Sequence, residues 1–152
     1  MDDVHLWLQD QPLLRSLAPQ HVACVRQITR SAQFAADEFV FHAAEPADQF
    51  YLLRDGLVAL QMQPRDGPIT LATIGAGEFL GVSWLLTPRT WTWDARALQA
   101  VSALAIDVGQ LIALCEQEHS LGYRFMKQVG SVLEWRFLNT ALQAADLYAD
   151  WS

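Results

Sequence analysis

Phe41-His42-Ala43-Ala44-Glu45-Pro46-Ala47-Asp48-Gln49-Phe50-Tyr51-Leu52-Leu53-Arg54-Asp55-Gly56 is the stretch on which the fold turns. Entering it, Phe39 and Phe41 alternate with Val40 and His42, the period-two pattern of a strand with one buried face. Leaving it, Tyr51-Leu52-Leu53, the Asp55-Gly56 pair and Leu57-Val58-Ala59-Leu60 read as a hairpin. Asp-Gly supplies the left-handed backbone that a tight reversal needs.

The same rhythm continues downstream. A second turn falls at Arg65-Asp66-Gly67-Pro68, and Ile69 to Ile74 forms a strand ended by Gly75-Ala76-Gly77. Trp91-Thr92-Trp93 alternates apolar and polar, and Ala97 to Ile106 gives one more strand. Short strands at regular spacing, with Gly and Pro between them, specify an antiparallel barrel or jelly roll.

Helical patterns flank this region. Residues 4–30 read as helical, broken at Pro12 and restarted at Ala18-Pro19, where the missing N–H of proline costs nothing in a first turn. After Asp107, Leu111, Ile112, Leu114 and Cys115 make one apolar stripe. Ser120 can cap a further helix, in which Leu121, Phe125, Val129, Val132, Leu133, Leu138 and Leu142 recur three to five residues apart. Carried to Tyr148, that helix is roughly 40 Å long at 1.5 Å per residue. It exceeds what one small barrel covers, so its leftover apolar face predicts a homodimer through the C-terminal helix.

The expected fold is mainly β with flanking helices: a double-stranded β-helix (jelly-roll) barrel with N-terminal helices and a long C-terminal helix. With no internal repeat and no linker, residues 1–152 read as one domain. Helices occupy 1–30, the barrel 31–107 and the C-terminal helices 108–152.

Composition excludes several function classes. Hydrophobic residues are 52% and charged residues 18% of the 152, the balance of a folded globular chain. A net charge of -7, with ten scattered basic residues, argues against a nucleic-acid surface. Met1-Asp2-Asp3 carries acid where a secretory leader carries positive charge, and no apolar run is long enough to span a membrane. Cys24 and Cys115 lack metal-like spacing and read as reduced thiols, so the expected compartment is the cytoplasm. His5, His21, His42 and His119 fall on different elements, so no metal site is expected. No nucleophile, base and oxyanion set appears, so no catalytic residues are assigned and the chain is not expected to be an enzyme.

Two segments resemble the cyclic-nucleotide-binding family, which includes the sensor half of the catabolite activator protein, the Fnr-like proteins and kinase regulatory subunits. Residues 41–56 are similar to that family's strand, acidic turn, Asp-x-aromatic-Tyr strand and hairpin glycine. Ile74-Gly75-Ala76-Gly77-Glu78-Phe79-Leu80-Gly81, running on to Pro88-Arg89-Thr90-Trp91-Thr92-Trp93-Asp94-Ala95, resembles its phosphate-binding cassette. Gly81-Val82-Ser83-Trp84-Leu85, Asp94-Ala95-Arg96-Ala97 and Leu121-Gly122-Tyr123 further resemble a small stand-alone bacterial type of the family, whose cassette is degenerate.

The resemblance implies a regulatory domain in signal transduction, with an anionic small molecule such as cAMP or cGMP bound in the barrel. The implied ligand-binding residues are Gly81, Val82, Ser83, Trp84, Arg89, Thr90 and Thr92. A short helix after Gly81 would aim N–H groups at an anion, and Ser83 would add a hydroxyl. Arg89 would pair with a phosphate or carboxylate through its forked guanidinium. Thr90 and Thr92 supply hydroxyls, while Trp84, Trp91 and Trp93 are candidates to stack on a base or to pack the interior.

The chain departs from the family at Val82, where typical members carry the Glu that accepts the ribose hydroxyl, and at Ala44, which replaces a turn glycine. The aliphatic Val82 motivates an alternative: a ligand-free dimeric interaction scaffold with a vestigial pocket. Family members that read DNA continue past the long helix into a helix-turn-helix. None follows here, so DNA binding by this chain alone is not expected. The change would pass instead to an unidentified protein partner.

Overall fold

A computed structural model describes residues 2–85 and 89–149. By internal packing the chain divides into two compact units. One holds the chain up to Cys24 and from Leu114 onward; the other holds Val25–Ala113.

The Val25–Ala113 unit carries seven strands in two antiparallel sheets. Strands β1 (Thr29–Phe34), β3 (Gln49–Asp55) and β7 (Val101–Asp107) form a sheet ordered β1-β7-β3. Strands β2 (Phe39–Phe41), β4 (Val58–Met62), β5 (Ile69–Ile74) and β6 (Asp94–Ala97) form the other, ordered β2-β6-β4-β5. This is the expected jelly roll, although ladder pairing does not close the sheets into a continuous barrel. Phe41 of β2 and Tyr51 of β3 stack across the two sheets, ring centroids 6.4 Å apart.

Burial explains the order. β7 lies at the centre of its sheet, and Ala103, Leu104, Ala105 and Ile106 in succession are buried, as suits a strand covered on both faces. β5 is an edge strand, exposed from Ile69 to Thr73. Its hairpin partner β4 turns at Gly67, whose φ is +110°, as the Asp66-Gly67 signal requires.

Four sequence expectations need correction. Asp55-Gly56 does reverse the chain, with Gly56 at φ +101°, but β3 and β4 are not a hairpin. β3 pairs with β7, and β4 with β5 and β6, so the turn sends the chain from one sheet to the other. Residues 29–34, read partly as helix, form strand β1; its sequence Thr-Arg-Ser-Ala-Gln-Phe offers little apolar alternation to detect. The single strand expected over Ala97 to Ile106 is two, β6 and β7, separated at residues 98–100. Trp91-Thr92-Trp93 is not a regular strand; Thr90 makes an isolated bridge to Pro46.

In the other unit, helix α1 (Asp3–Asp10) is capped by Asp2, whose carboxylate accepts from the His5 N–H at 2.8 Å. Helix α2 (Pro19–Gln27) begins at the expected proline and crosses into the strand-bearing unit, as does α3 (Val108–Gln117) from the other side. Helix α4 runs from His119–Ala149, one residue before the expected Ser120 cap, for 31 residues. Leu121, Phe125 and Val129 along one face of α4 are buried, while Tyr123, Trp135, Phe137, Leu142 and Leu147 are exposed. No helix among the described residues is long and apolar enough to cross a membrane.

Candidate functional site

The predicted site residues sit where a glycine-rich turn meets the segment leading into β6. Gly75-Ala76-Gly77-Glu78 is a closed turn: Gly77 has φ +84°, and the Glu78 carboxylate accepts from the Gly75 N–H at 2.7 Å. Phe79 then bridges to Leu52, and the Leu80 N–H donates to the Tyr51 carbonyl, tying the turn to β3. The chain emerges at Gly81 with Val82 and Ser83 half-buried. A single 3-10 turn, Ser83–Leu85, takes the place of the expected short helix.

Trp84 is fully buried, with its ring edge-on to Phe50 at 5.1 Å. Its indole N–H donates to the Gly81 carbonyl at 3.2 Å, so the tryptophan fixes the glycine from beneath. Phe50 also meets Phe79 at 5.4 Å, which makes this aromatic group the floor of the turn. Pro88, the start of the second quoted segment, lies outside the described residues.

The second arm is held through its backbone. The Arg89 carbonyl accepts from the Ala47 N–H at 2.8 Å, and the Trp91 N–H donates to the Glu45 carbonyl at 2.9 Å. The Trp91 carbonyl in turn accepts from the Ala44 N–H at 2.8 Å. Arg89 is thereby pinned by its main chain and exposed at its side chain. Thr90 is half-buried and Thr92 exposed. Trp91 is buried, stacked on Phe41, and Trp93 is 39% exposed.

The two arms touch at two points. Ser83 Oγ and Thr92 Oγ1 lie 3.4 Å apart. A side-chain carbon at Gly81 would stand 3.8 Å from the Trp91 ring. Gly81, Ser83, Trp91 and Thr92, distant in sequence, therefore share one locality, beneath which Trp84 is anchored.

Asp94 and Arg96, expected to pair with each other, do not. Asp94 is buried and accepts from the Ala43 N–H at 2.7 Å, with His42 Nδ1 3.7 Å away. Arg96 instead pairs with Asp37 at 2.8 Å. The two side chains are neighbours but one along β6, and such positions face opposite sides of a strand. Asp94 is thus a supporting residue that sequence reasoning missed, since only the fold brings it to the turn at Ala43-Ala44. That turn holds Ala44 at φ +70°, which explains why a glycine suits the position.

Two ionisable groups depart from their ordinary behaviour. Burial pushes the Tyr51 hydroxyl up, with Arg30 opposing and Asp48 adding to the effect. Burial likewise raises the Cys115 thiol, and Glu116 adds to it. No cluster of three or more metal-binding side chains occurs among the described residues.

The model of the cyclic nucleotide-binding domain matches residues 31–118 of this chain. A Geobacter metallireducens crystal structure named for cyclic nucleotide binding is 25% identical, with a TM-score of 0.80, covering 90% of this chain and 99% of that one. The N-terminal domain of a transcriptional regulator from Streptomyces coelicolor is 27% identical, with a TM-score of 0.70, over 89% of this chain and 94% of that one. A Rhodopseudomonas palustris protein named for a potassium channel is 27% identical over 137 residues, 90% of this chain. This chain spans about a third (32%) of that relative's length.

Proposed function

Because this chain belongs to the cyclic nucleotide-binding domain family, we propose that it is a ligand-sensing regulatory domain for an anionic small molecule. The observation that carries this reading is the meeting of the two cassette arms at Ser83 and Thr92, with Arg89 held by its main chain and its guanidinium left in solvent. Hydroxyls and a guanidinium converging beside a glycine are what a phosphate or cyclic phosphate needs. In this reading Gly81, Val82, Ser83, Arg89, Thr90 and Thr92 line the ligand, and Trp84 acts by holding Gly81. Val82 offers no acceptor to a ribose hydroxyl, which favours ligands bound chiefly through their anionic group.

Residues 1–152 then act as one cytoplasmic regulatory domain. Residues 31–107 hold the ligand, and the C-terminal helix relays the change to a protein partner. The exposed apolar residues of α4 support a homodimer through that helix.

The test is thermal unfolding followed by tryptophan fluorescence, with cAMP, cGMP and a cyclic dinucleotide added separately. A ligand at ~100 times its Kd stabilises the fold by about 2.7 kcal/mol. Arg89→Ala is expected to abolish that shift and to leave the ligand-free melting temperature nearly unchanged, since an exposed side chain contributes little to folding.

A second reading has its own observation. Trp84 and Trp91 are both buried, and Trp91 lies on Phe41, so aromatic side chains fill the interior next to Val82. This favours a dimeric interaction scaffold with a vestigial pocket. Absence of a thermal shift with all three nucleotides would put this reading first.

A further inference from the structure

Along α4 the apolar residues follow a strict seven-residue repeat. Tyr123, Gly130, Phe137 and Ala144 occupy one core position of the heptad, and His119, Met126, Leu133, Thr140 and Leu147 the other. Tyr123, Phe137 and Leu147 are 68%, 70% and 63% exposed, so this seam is open in the single chain. A repeat of seven on a helix of 3.6 residues per turn keeps facing a partner only if two helices wind together. Trp135, Leu138 and Leu142 lie on the adjoining face and are no part of the seam.

We propose that a second copy of this chain covers the seam and that the two α4 helices pair antiparallel, with Gly130 opposite the partner's Leu133. The proposal rests on the homodimer reading above and specifies its geometry. Two independent features select the direction.

The first is side-chain size. Antiparallel pairing in this register sets Gly130 against the partner's Leu133, Tyr123 against the partner's Thr140, and His119 against the partner's Ala144. Each layer then joins a large residue to a small one, and Met126 meets the partner's Phe137 in a sulfur–aromatic contact. Parallel pairing would set each residue against its own copy. Two glycines would then leave a void at Gly130, and two bulky rings would crowd at Tyr123 and again at Phe137.

The second is charge. Lys127 and Glu134 both immediately follow seam residues, and antiparallel helices bring such flanking positions face to face. Lys127 then meets the partner's Glu134, and symmetry repeats the pair. In the parallel arrangement Glu134 faces the partner's Val129, and no such pair forms.

An open pocket of about 600 Å³, lined by Cys115, His119, Gly122, Tyr123, Met126 and Lys127, marks the start of the seam. The same register lays the partner's Leu147 beside residue 116. The last turn of one helix thus arrives at the pocket of the other, which supplies the pocket with an apolar occupant.

Cysteine cross-linking tests the direction, using the full chain with Cys24 and Cys115 changed to serine. Tyr123→Cys and Thr140→Cys, both at exposed positions, are made separately. Mixed under oxidation they are expected to give a cross-linked heterodimer, while neither cross-links alone. In this register the two Thr140 positions are about 25 Å apart along the axis at 1.5 Å per residue, far beyond disulfide reach. Cross-linking of Thr140→Cys alone would overturn the antiparallel assignment and leave the dimer standing. Sedimentation of the unmodified chain as a monomer at micromolar concentration would overturn both. As an independent check, Glu134→Lys is expected to weaken the dimer about tenfold and K127E/E134K to restore it. A double variant as weak as the single one would also overturn the pairing.

Discussion

Trp91 lies flat on Phe41, with ring centroids 3.7 Å apart and planes 4° from parallel. Phe41 is the last residue of β2, and Trp91 stands at the bridge between the cassette and β6, so the stack ties the cassette's second arm to the sheet. It also answers a question that sequence left open. Of the three tryptophans near the cassette, Trp84 and Trp91 are packing residues in this structure, and Trp93 is the exposed one.

Trp91→Ala is therefore expected to destabilise the fold by about 3–5 kcal/mol, the usual cost of deleting a buried tryptophan. A double-mutant cycle with Phe41→Leu should return a coupling of about 0.5–1.5 kcal/mol for the ring pair. Urea denaturation measures both quantities. A loss under 1 kcal/mol would mean that Trp91 does not hold the arm.

Ala44 stands at φ +70°, in the left-handed region where a Cβ crowds the following carbonyl. The turn is nonetheless held, because the Ala44 N–H donates to the Trp91 carbonyl and Asp94 accepts from the Ala43 N–H. Relief of that strain exceeds glycine's extra unfolded-state entropy, so Ala44→Gly is expected to stabilise by about 1 kcal/mol. Thermal unfolding checks the sign, and a lowered melting temperature would contradict the strain argument.

Gly122 presents the opposite case. It lies in the first turns of α4, where alanine would ordinarily gain about 1 kcal/mol of helix propensity. A Cβ there would stand 2.9 Å from the Cys115 carbonyl oxygen and 3.0 Å from the Cys115 Cβ, so α3 and α4 would have to separate. Overpacking of this kind costs about 1–3 kcal/mol, so the clash outweighs the propensity. Gly122→Ala should lower stability by up to ~2 kcal/mol in urea unfolding, whereas Gly130→Ala, with open space around it, should raise it in the monomer.

The sequence by itself determined the class of fold: jelly-roll strands between helices, the Asp66-Gly67 hairpin, the proline start of α2, and a long C-terminal helix with more apolar surface than one chain covers. These are local properties, since turn chemistry and hydrophobic period act over a few residues and survive any arrangement of the rest. The cassette was legible in the same way, through Gly75, Gly77 and Gly81 and the spacing to Arg89.

Only the tertiary structure decided which strands pair. Asp55-Gly56 turns the chain, yet β3 and β4 enter different sheets, because pairing depends on which edges are free once β7 occupies the centre of its own. It also decided that Asp94 supports the turn at Ala43 while Arg96 turns to Asp37, and that Trp91 packs on Phe41. Such contacts join residues up to 59 positions apart. A local pattern carries no record of them, because they arise only when the whole chain has chosen its register.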